Sequence, residues 1–383
     1  MAEYSPMMQH YLATKKQYND CILFYRLGDF YEMFFDDAIT VSKELELTLT
    51  GKDCGQEERA PMCGVPFHAA ETYINRLVSN GHKVAICEQM EDPKLAKGIV
   101  KREVIKVVTP GTNLNAQALD ETKNNYLFCI YYQGDVIGVS ICDFSTGDYF
   151  VTELKSENEL IDEINKFVPS EIIVNEYFAM SGIDLTAVNE KLNISMSTLE
   201  NWYFDEDSST KKLLSHFKIS ALDGLGVKDY PTGIIAAGAL LTYLYETQKS
   251  DMSHIITLTP YTTGKYMLID SSSRRNLELV ETLREKQKRG SLIWVLDKTK
   301  TAMGARALRS MIEQPLINKD EIINRQNVVE ELCNNQIDRE ELREYMNPIY
   351  DLERLMTKIS CKSANPRDLI AFRNSLEMLP YIK

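Results

Sequence analysis

The segment that most constrains the fold is an apolar run followed at once by a glycine and a second aromatic run. Residues 22–25 (ILFY) predict a buried strand, and Gly28 permits a sharp turn before Phe30, Tyr31 and Glu32. If the backbone stays extended after the turn, Phe30 and Glu32 lie on the same side of it. Residue type alone favours a core position for such aromatic side chains. The segment therefore predicts either ordinary core or an exposed aromatic ring beside a carboxylate.

The 383-residue length predicts two or three domains. We expect a mixed α/β domain at residues 1–113, a linker at 114–122, a second α/β domain at 123–250 and a helical domain at 258–383. Turn residues separate three predicted strands at 126–132, 136–143 and 148–154, which is typical of a meander. The pattern also predicts a strand at 266–269 and core positions for Trp294, Met303 and Leu308. We expect Arg274 and Arg275 to form ion pairs rather than contact phosphates.

Charge excludes non-specific nucleic-acid binding through bulk electrostatics, because the net charge is −13. A local basic cluster, opposed only by Glu103, is the best candidate for binding backbone phosphates, although a solvated charged face fits the same pattern. Its members are Lys94, Lys97, Lys101, Arg102 and Lys106.

Eight cysteines without a C-x-x-C pair, and no basic-then-apolar leader, predict reduced thiols and a cytoplasmic protein. No apolar run approaches the roughly 18 residues of a membrane helix, so we expect no membrane association.

The sequence predicts no catalytic residue, no metal ligand and no cofactor for this chain. No G-x-x-x-x-G-K-[ST] string is present, and residues 263–266 (TGKY) lack the first glycine and the hydroxyl, so we expect no ATP hydrolysis. The competing interpretation is an RNase H-like metal-dependent nuclease built on Asp143 and Asp148. Such chemistry requires several carboxylates around two Mg²⁺ ions, and the sequence offers no clear third or fourth.

Several blocks in register make the chain resemble the bacterial MutS family of DNA mismatch-repair proteins. These blocks are LFYRLGDFYE at 23–32, PMCGVPFHA at 61–69, AICEQ at 85–89, VTPGT at 108–112, SRRNLE at 273–278 and LDKTKTAMGAR at 296–306. The resemblance implies a mixed α/β mismatch-recognition domain, an RNase H-like α/β connector and a helical core/lever domain that is cut short. It implies an N-terminal fragment from which the ATPase domain is absent.

The same resemblance implies the functional residues and partners. Phe30 is the wedge inserted at a mispaired step from the minor groove, and Glu32 hydrogen-bonds the exposed base. Pro66, Phe67 and His68 lie in an adjacent loop near the minor groove, and Arg102 faces the DNA backbone. The implied partners are mismatched double-stranded DNA and MutL. The full-length family protein is a homodimer that uses ATP and Mg, whereas we expect this fragment to be a monomer. A scaffold without DNA binding of its own remains an alternative.

Overall fold

The computed structural model describes residues 4–91, 98, 100–115 and 118–383, and only the backbone of residue 263. Two compact units make up the chain. The first contains residues 1–118 and Tyr243–Lys249, and the second contains Leu119–Thr242 and Ser250–Lys383. Basic positions Lys94 and Lys97 lie outside the described residues.

The first unit is a six-stranded mixed sheet with helices on both faces. Its elements are α1 (Pro6–Gln17), β1 (Cys21–Leu27), β2 (Phe30–Phe34), α2 (Phe35–Leu45), β3 (Thr50–Lys52), β4 (Ala60–Pro66), α3 (Ala70–Ser79), β5 (Lys83–Gln89) and β6 (Arg102–Val108). The strand order is β3-β4-β2-β1-β5-β6. Within this sheet β1 and β5 run parallel, and the other neighbouring pairs of these six strands are antiparallel.

Alternation along β1 and β2 divides the core of the first unit between the two faces. On one face, Phe24, Tyr31 and Met33 pack with α2 and α3. On the other face, Tyr25 and Phe34 pack with α1. Because successive side chains of a strand point to opposite faces, the strand pairing fixes on which face of the sheet each aromatic residue of β1 and β2 lies.

Local signals explain where α1 begins. The Ser5 hydroxyl accepts a hydrogen bond from the Met8 amide, and Pro6 occupies the first turn. At the other edge of the sheet, the side chains of Gln248 and Lys249 donate to the carbonyls of Val107 and Val104, at 3.0 and 2.8 Å. These bonds cover part of the open edge of β6.

The second unit begins with the predicted meander and its continuation. Its α/β elements are β7 (Leu127–Tyr132), β8 (Ile137–Asp143), β9 (Asp148–Leu154), α4 (Glu157–Phe167), β10 (Glu171–Asn175), α5 (Glu176–Met180), α6 (Thr186–Leu192), β11 (Ser195–Leu199), α7 (Glu206–Phe217), α8 (Pro231–Gln248) and β12 (Thr259–Pro260). The residues of α8 from Tyr243 onward are assigned to the first unit. The sheet order β11-β10-β7-β8-β9-β12, with an antiparallel meander followed by parallel β10 and β11, agrees with the RNase H-like topology expected.

Glycine permits close backbone packing in this unit. A Cβ built on Gly138 of β8 would lie 2.3 Å from the Thr232 carbonyl oxygen in the first turn of α8. No side chain fits there, so Gly138 sets how closely the helix approaches the sheet.

The rest of the second unit is helical, which confirms the predicted combination of α/β and all-α parts. Its helices are α9 (Ser271–Asn276), α10 (Leu292–Leu296), α11 (Ala302–Glu313), α12 (Lys319–Asn334), α13 (Gln336–Met346), α14 (Leu352–Ser360) and α15 (Pro366–Ile382). The strand predicted at 266–269 is wrong, since only an isolated bridge joins Tyr266 to Leu316. The core position predicted for Trp294 is also wrong. Its ring is 48% exposed, because five-residue α10 buries only Ile293. Met303 and Leu308 are half-buried.

In the part of the chain that the structure describes, no helix combines the length and apolar character needed to cross a membrane.

Candidate nucleic-acid interface

A tight hairpin places Phe30 at the end of the sheet. Leu27 pairs with Phe30, so only Gly28 and Asp29 form the turn. Gly28 has φ +61°, a conformation that favours glycine. Phe30 is the first residue of β2 and lies on the α1 side, as Phe34 does. Phe34 is covered by the Tyr11 ring, with centroids 4.9 Å apart, whereas Phe30 remains 47% exposed.

A second aromatic ring is fixed beside this tip. Pro66 pairs with Phe30 in the sheet, and the Phe67 amide donates to the Asp29 carbonyl at 2.9 Å. The Arg26 guanidinium stacks 4.0 Å from the Phe67 ring centroid, and this ring is 45% exposed. His68 is also exposed. The structure thus brings Pro66, Phe67 and His68 next to Phe30, although residues 60–66 are strand β4 and 67–69 a short 3-10 helix rather than a loop.

Glu32 lies two residues beyond Phe30 on the same face, as the extended backbone requires. Its side chain is only 15% exposed and forms a salt bridge with Lys52 of β3. On the neighbouring strand Gly64 stands opposite Glu32, and its missing side chain leaves room for the carboxylate. The sequence did not suggest Lys52, because its position depends on the pairing of three strands that are distant along the chain.

Tyr31 anchors the hairpin from the opposite face. Its hydroxyl donates to the Glu88 carboxylate on β5, and the Arg26 guanidinium lies 3.4 Å from the same oxygen. Burial, together with the hydrogen bond to Glu88, raises the pKa of the Tyr31 hydroxyl well above its usual value. Tyr31 and Phe34 are therefore packing residues, and they hold the backbone that carries Phe30 and Glu32.

Arg102 differs from the exposed phosphate contact expected from sequence. Its side chain is buried, and it donates to the carbonyls of Arg26 and Val100, both at 2.8 Å. Its guanidinium lies 5.3 Å from the centre of the Tyr25 ring. Burial raises the pKa of the Tyr25 hydroxyl to about 12. Arg102 thus links the end of β1, next to the hairpin turn, to the segment before β6.

The remaining described members of the basic cluster do not form one surface with Arg102. Lys101 is exposed and pairs with Glu103 at 2.7 Å. Lys106 is half-buried and already interacts with another group of the protein. The geometry therefore offers Lys101 as the exposed cation of this group among the described residues.

The aspartates of the nuclease interpretation serve as structural acceptors. Buried Asp143 accepts from Asn124 Nδ2 at 2.8 Å, Asn125 N at 3.0 Å, and Ser145 N and Oγ at 2.8 and 2.7 Å. Asp148 accepts from Thr146 Oγ1 at 2.8 Å, and burial raises the pKa of its carboxyl. Across the described residues, no group of three or more histidines, cysteines or carboxylates could hold a metal ion. The arrangement gives the nuclease interpretation no support.

Arg274 forms the ion pair expected from sequence, at 3.9 Å from Glu313, and donates to the Lys166 carbonyl at 3.2 Å. Burial lowers the pKa of its guanidinium. Arg275 is exposed.

Three ranges of this chain match domains of one known protein family. Residues 5–117 match MutS domain I, residues 125–256 match MutS domain II, and residues 272–383 match MutS domain III. Proteins named DNA mismatch repair protein MutS are 65% identical in Lachnoclostridium phytofermentans, over 383 residues, and 54% identical in Ruminiclostridium cellulolyticum, over 386 residues. Both alignments cover 100% of this chain, and they cover 41% and 44% of the respective relatives. The chain therefore spans about two fifths of the length of these relatives.

Proposed function

The chain belongs to the MutS family, and from this premise we propose that its first unit binds mismatched double-stranded DNA. Phe30 enters the mispaired step from the minor groove, and Glu32 accepts a hydrogen bond from the exposed base. The observation that carries this proposal is a half-exposed phenylalanine at a rigid hairpin tip, with a carboxylate two residues away on the same face.

Deformability of the DNA supplies the selectivity of such a site. Inserting an apolar wedge unstacks a base step at a cost of a few kcal/mol. Bending the duplex costs of order 1–6 kcal/mol more. A mispaired step has already lost part of its pairing and stacking, so the same distortion costs less there. One wedge therefore accepts many mispairs and rejects matched DNA.

Phe67 and His68 extend the contact surface along the groove beside the wedge. The Phe67 ring is held by the Arg26 guanidinium and by its own backbone hydrogen bond, so it needs little ordering on binding. Of the phosphate contacts expected from sequence, exposed Lys101 is the described residue best placed for that role.

For the full-length protein we propose coupling of mismatch binding to ATP and Mg, a homodimer, and contact with MutL. The resemblance of this chain to its longer MutS relatives supports these proposals. For the 383-residue chain, we propose DNA binding without ATP hydrolysis.

Fluorescence anisotropy with a G·T duplex and its matched control tests the site, at two salt concentrations. Wild-type protein should prefer the G·T duplex, Phe30→Ala should lose that preference, and Glu32→Gln should change the preference more than the total affinity. Tyr177→Ala removes an equally exposed aromatic ring, 49% exposed in the second unit, and should leave the preference unchanged. Retained preference in Phe30→Ala refutes the wedge. Absence of binding by the wild-type chain favours the scaffold.

A further inference from the structure

The carboxylate beside the wedge already has a counter-ion within the fold. Lys52, the last residue of β3, reaches across β4 to Glu32 on β2. The Lys52 ammonium also lies 5.7 Å from the centre of the Phe34 ring, on the α1 face of the sheet. Its side chain is 31% exposed, against 15% for Glu32, so solvent reaches the pair mainly at Lys52.

Glu32 has little freedom to leave this partner by moving within the sheet. Buried Tyr25 of β1 lies opposite Glu32 on one side. On the other side, Gly64 leaves open the space toward Lys52. Phe30 and Phe34 flank it along its own strand. The remaining directions are toward Lys52 and toward solvent at the hairpin tip. Any DNA that reaches Phe30 therefore meets a carboxylate whose charge Lys52 offsets.

We propose that Lys52 limits the mismatch preference by acting as the counter-ion of Glu32, a role that rests on the proposed function of this site. An unpaired carboxylate repels the DNA phosphates whatever the base sequence. On a mismatched duplex, an exposed base N–H gives Glu32 a new partner, which offsets that repulsion. On a matched duplex no such donor is available. Lys52 reduces the repulsion in both complexes, and the reduction matters most for matched DNA.

The Lys52→Met variant should bind DNA more weakly and yet discriminate better between the two duplexes. Affinity for both duplexes should fall, and affinity for the matched duplex should fall further, so the preference for the G·T duplex increases. Partly exposed charge pairs contribute about 0.2–1 kcal/mol, which corresponds to an increase in preference of roughly 1.4- to fivefold. In a Glu32→Gln background the carboxylate is gone, and Lys52→Met should leave the preference unchanged.

The test is a double-mutant cycle measured by anisotropy on G·T and matched duplexes. It uses the 383-residue chain as wild type, Lys52→Met, Glu32→Gln and the double variant. Lys43→Met is the matched control, because Lys43 is exposed on α2 at the opposite face of the sheet and carries the same charge. It should change the preference by less than about twofold.

The outcomes separate the possible roles of Lys52. An increased preference in Lys52→Met that disappears in the Glu32→Gln background supports the counter-ion role. An equal loss of affinity on both duplexes and in both backgrounds, with the salt slope reduced by about 0.9, identifies a simple phosphate contact and overturns it. No effect of Lys52→Met also overturns it. A wild-type chain without mismatch preference instead refutes the proposed function, and this inference fails with it.

Discussion

Replacing Arg306 tests the reasoning about buried charge in the second unit. Arg306 is only 4% exposed and binds both oxygens of Asp351, at 2.6 and 2.8 Å. It also reaches Glu353 at 2.6 Å and the Glu121 carbonyl at 3.0 Å. One guanidinium therefore joins α11, the start of α14 and the segment that leads into β7.

The Arg306→Met variant leaves acceptors without a donor. Breaking a buried ion pair by removing one partner costs about 3–5 kcal/mol. Glu353 is 47% exposed and becomes hydrated, and Arg354 stays 3.8 Å from Asp351, so both relieve part of the loss. We therefore expect the free energy of unfolding to fall by about 3 kcal/mol. Arg306→Lys keeps the charge but cannot bind both oxygens of Asp351 as the guanidinium does. Its free energy of unfolding should therefore lie between those of the wild type and Arg306→Met.

Urea unfolding followed by tryptophan fluorescence is the assay. The chain has two tryptophans, Trp202 and Trp294, and both lie in the second unit, so the signal reports on that unit. Arg373→Met is the control, because its pair with Glu377 is exposed and one helical turn apart, and should cost less than about 0.5 kcal/mol. A loss below about 1 kcal/mol for Arg306→Met would refute the argument.

Two further predictions concern a histidine and a glycine. Burial lowers the pKa of His254, whose Nε2–H donates to the Phe144 carbonyl, to about 4. The unfolded chain therefore binds a proton that the fold does not, so stability is complete above pH 6.5 and falls by up to about 3 kcal/mol toward pH 4. Urea midpoints should show this loss, and His254→Gln should reduce it. Gly64→Ala places a Cβ 3.3 Å from the Tyr31 carbonyl oxygen and 3.5 Å from Glu32 Cγ. It should weaken mismatch preference in anisotropy, and an unchanged preference would show that Glu32 does not need this space.

Elements with local signals were predictable from the sequence. The three strands predicted at 126–132, 136–143 and 148–154 are β7, β8 and β9, with bounds that differ by one residue at most, because the turn residues between them act locally. Strands β2 and β4 were not predicted as strands. Their only reason to be extended is pairing with each other and with β1, and no short window of sequence contains that information.

Side-chain partners were less predictable than elements. A basic residue near a predicted DNA contact was expected to face solvent, but Arg102 turns inward and donates to the carbonyls of Arg26 and Val100. Lys52 had no distinguishing pattern, since its partner is set by strand register. Composition shows that charges are present, whereas register decides which charges meet.

The exposure of Phe30 follows from the same register argument and explains why its neighbours remain in the core. Tyr31 lies on the α2 and α3 face, and Phe34 lies beneath α1, so both are covered. Phe30 shares the face of Phe34 but sits at the first position of β2, where it stays exposed, whereas the Tyr11 ring covers Phe34. Its backbone is held by pairing with Leu27 on one side and Pro66 on the other. Because this backbone is already ordered, the insertion that we propose for Phe30 orders only its side-chain torsions. Under that proposal the cost of insertion falls mainly on the DNA, and the site measures how easily each base step opens.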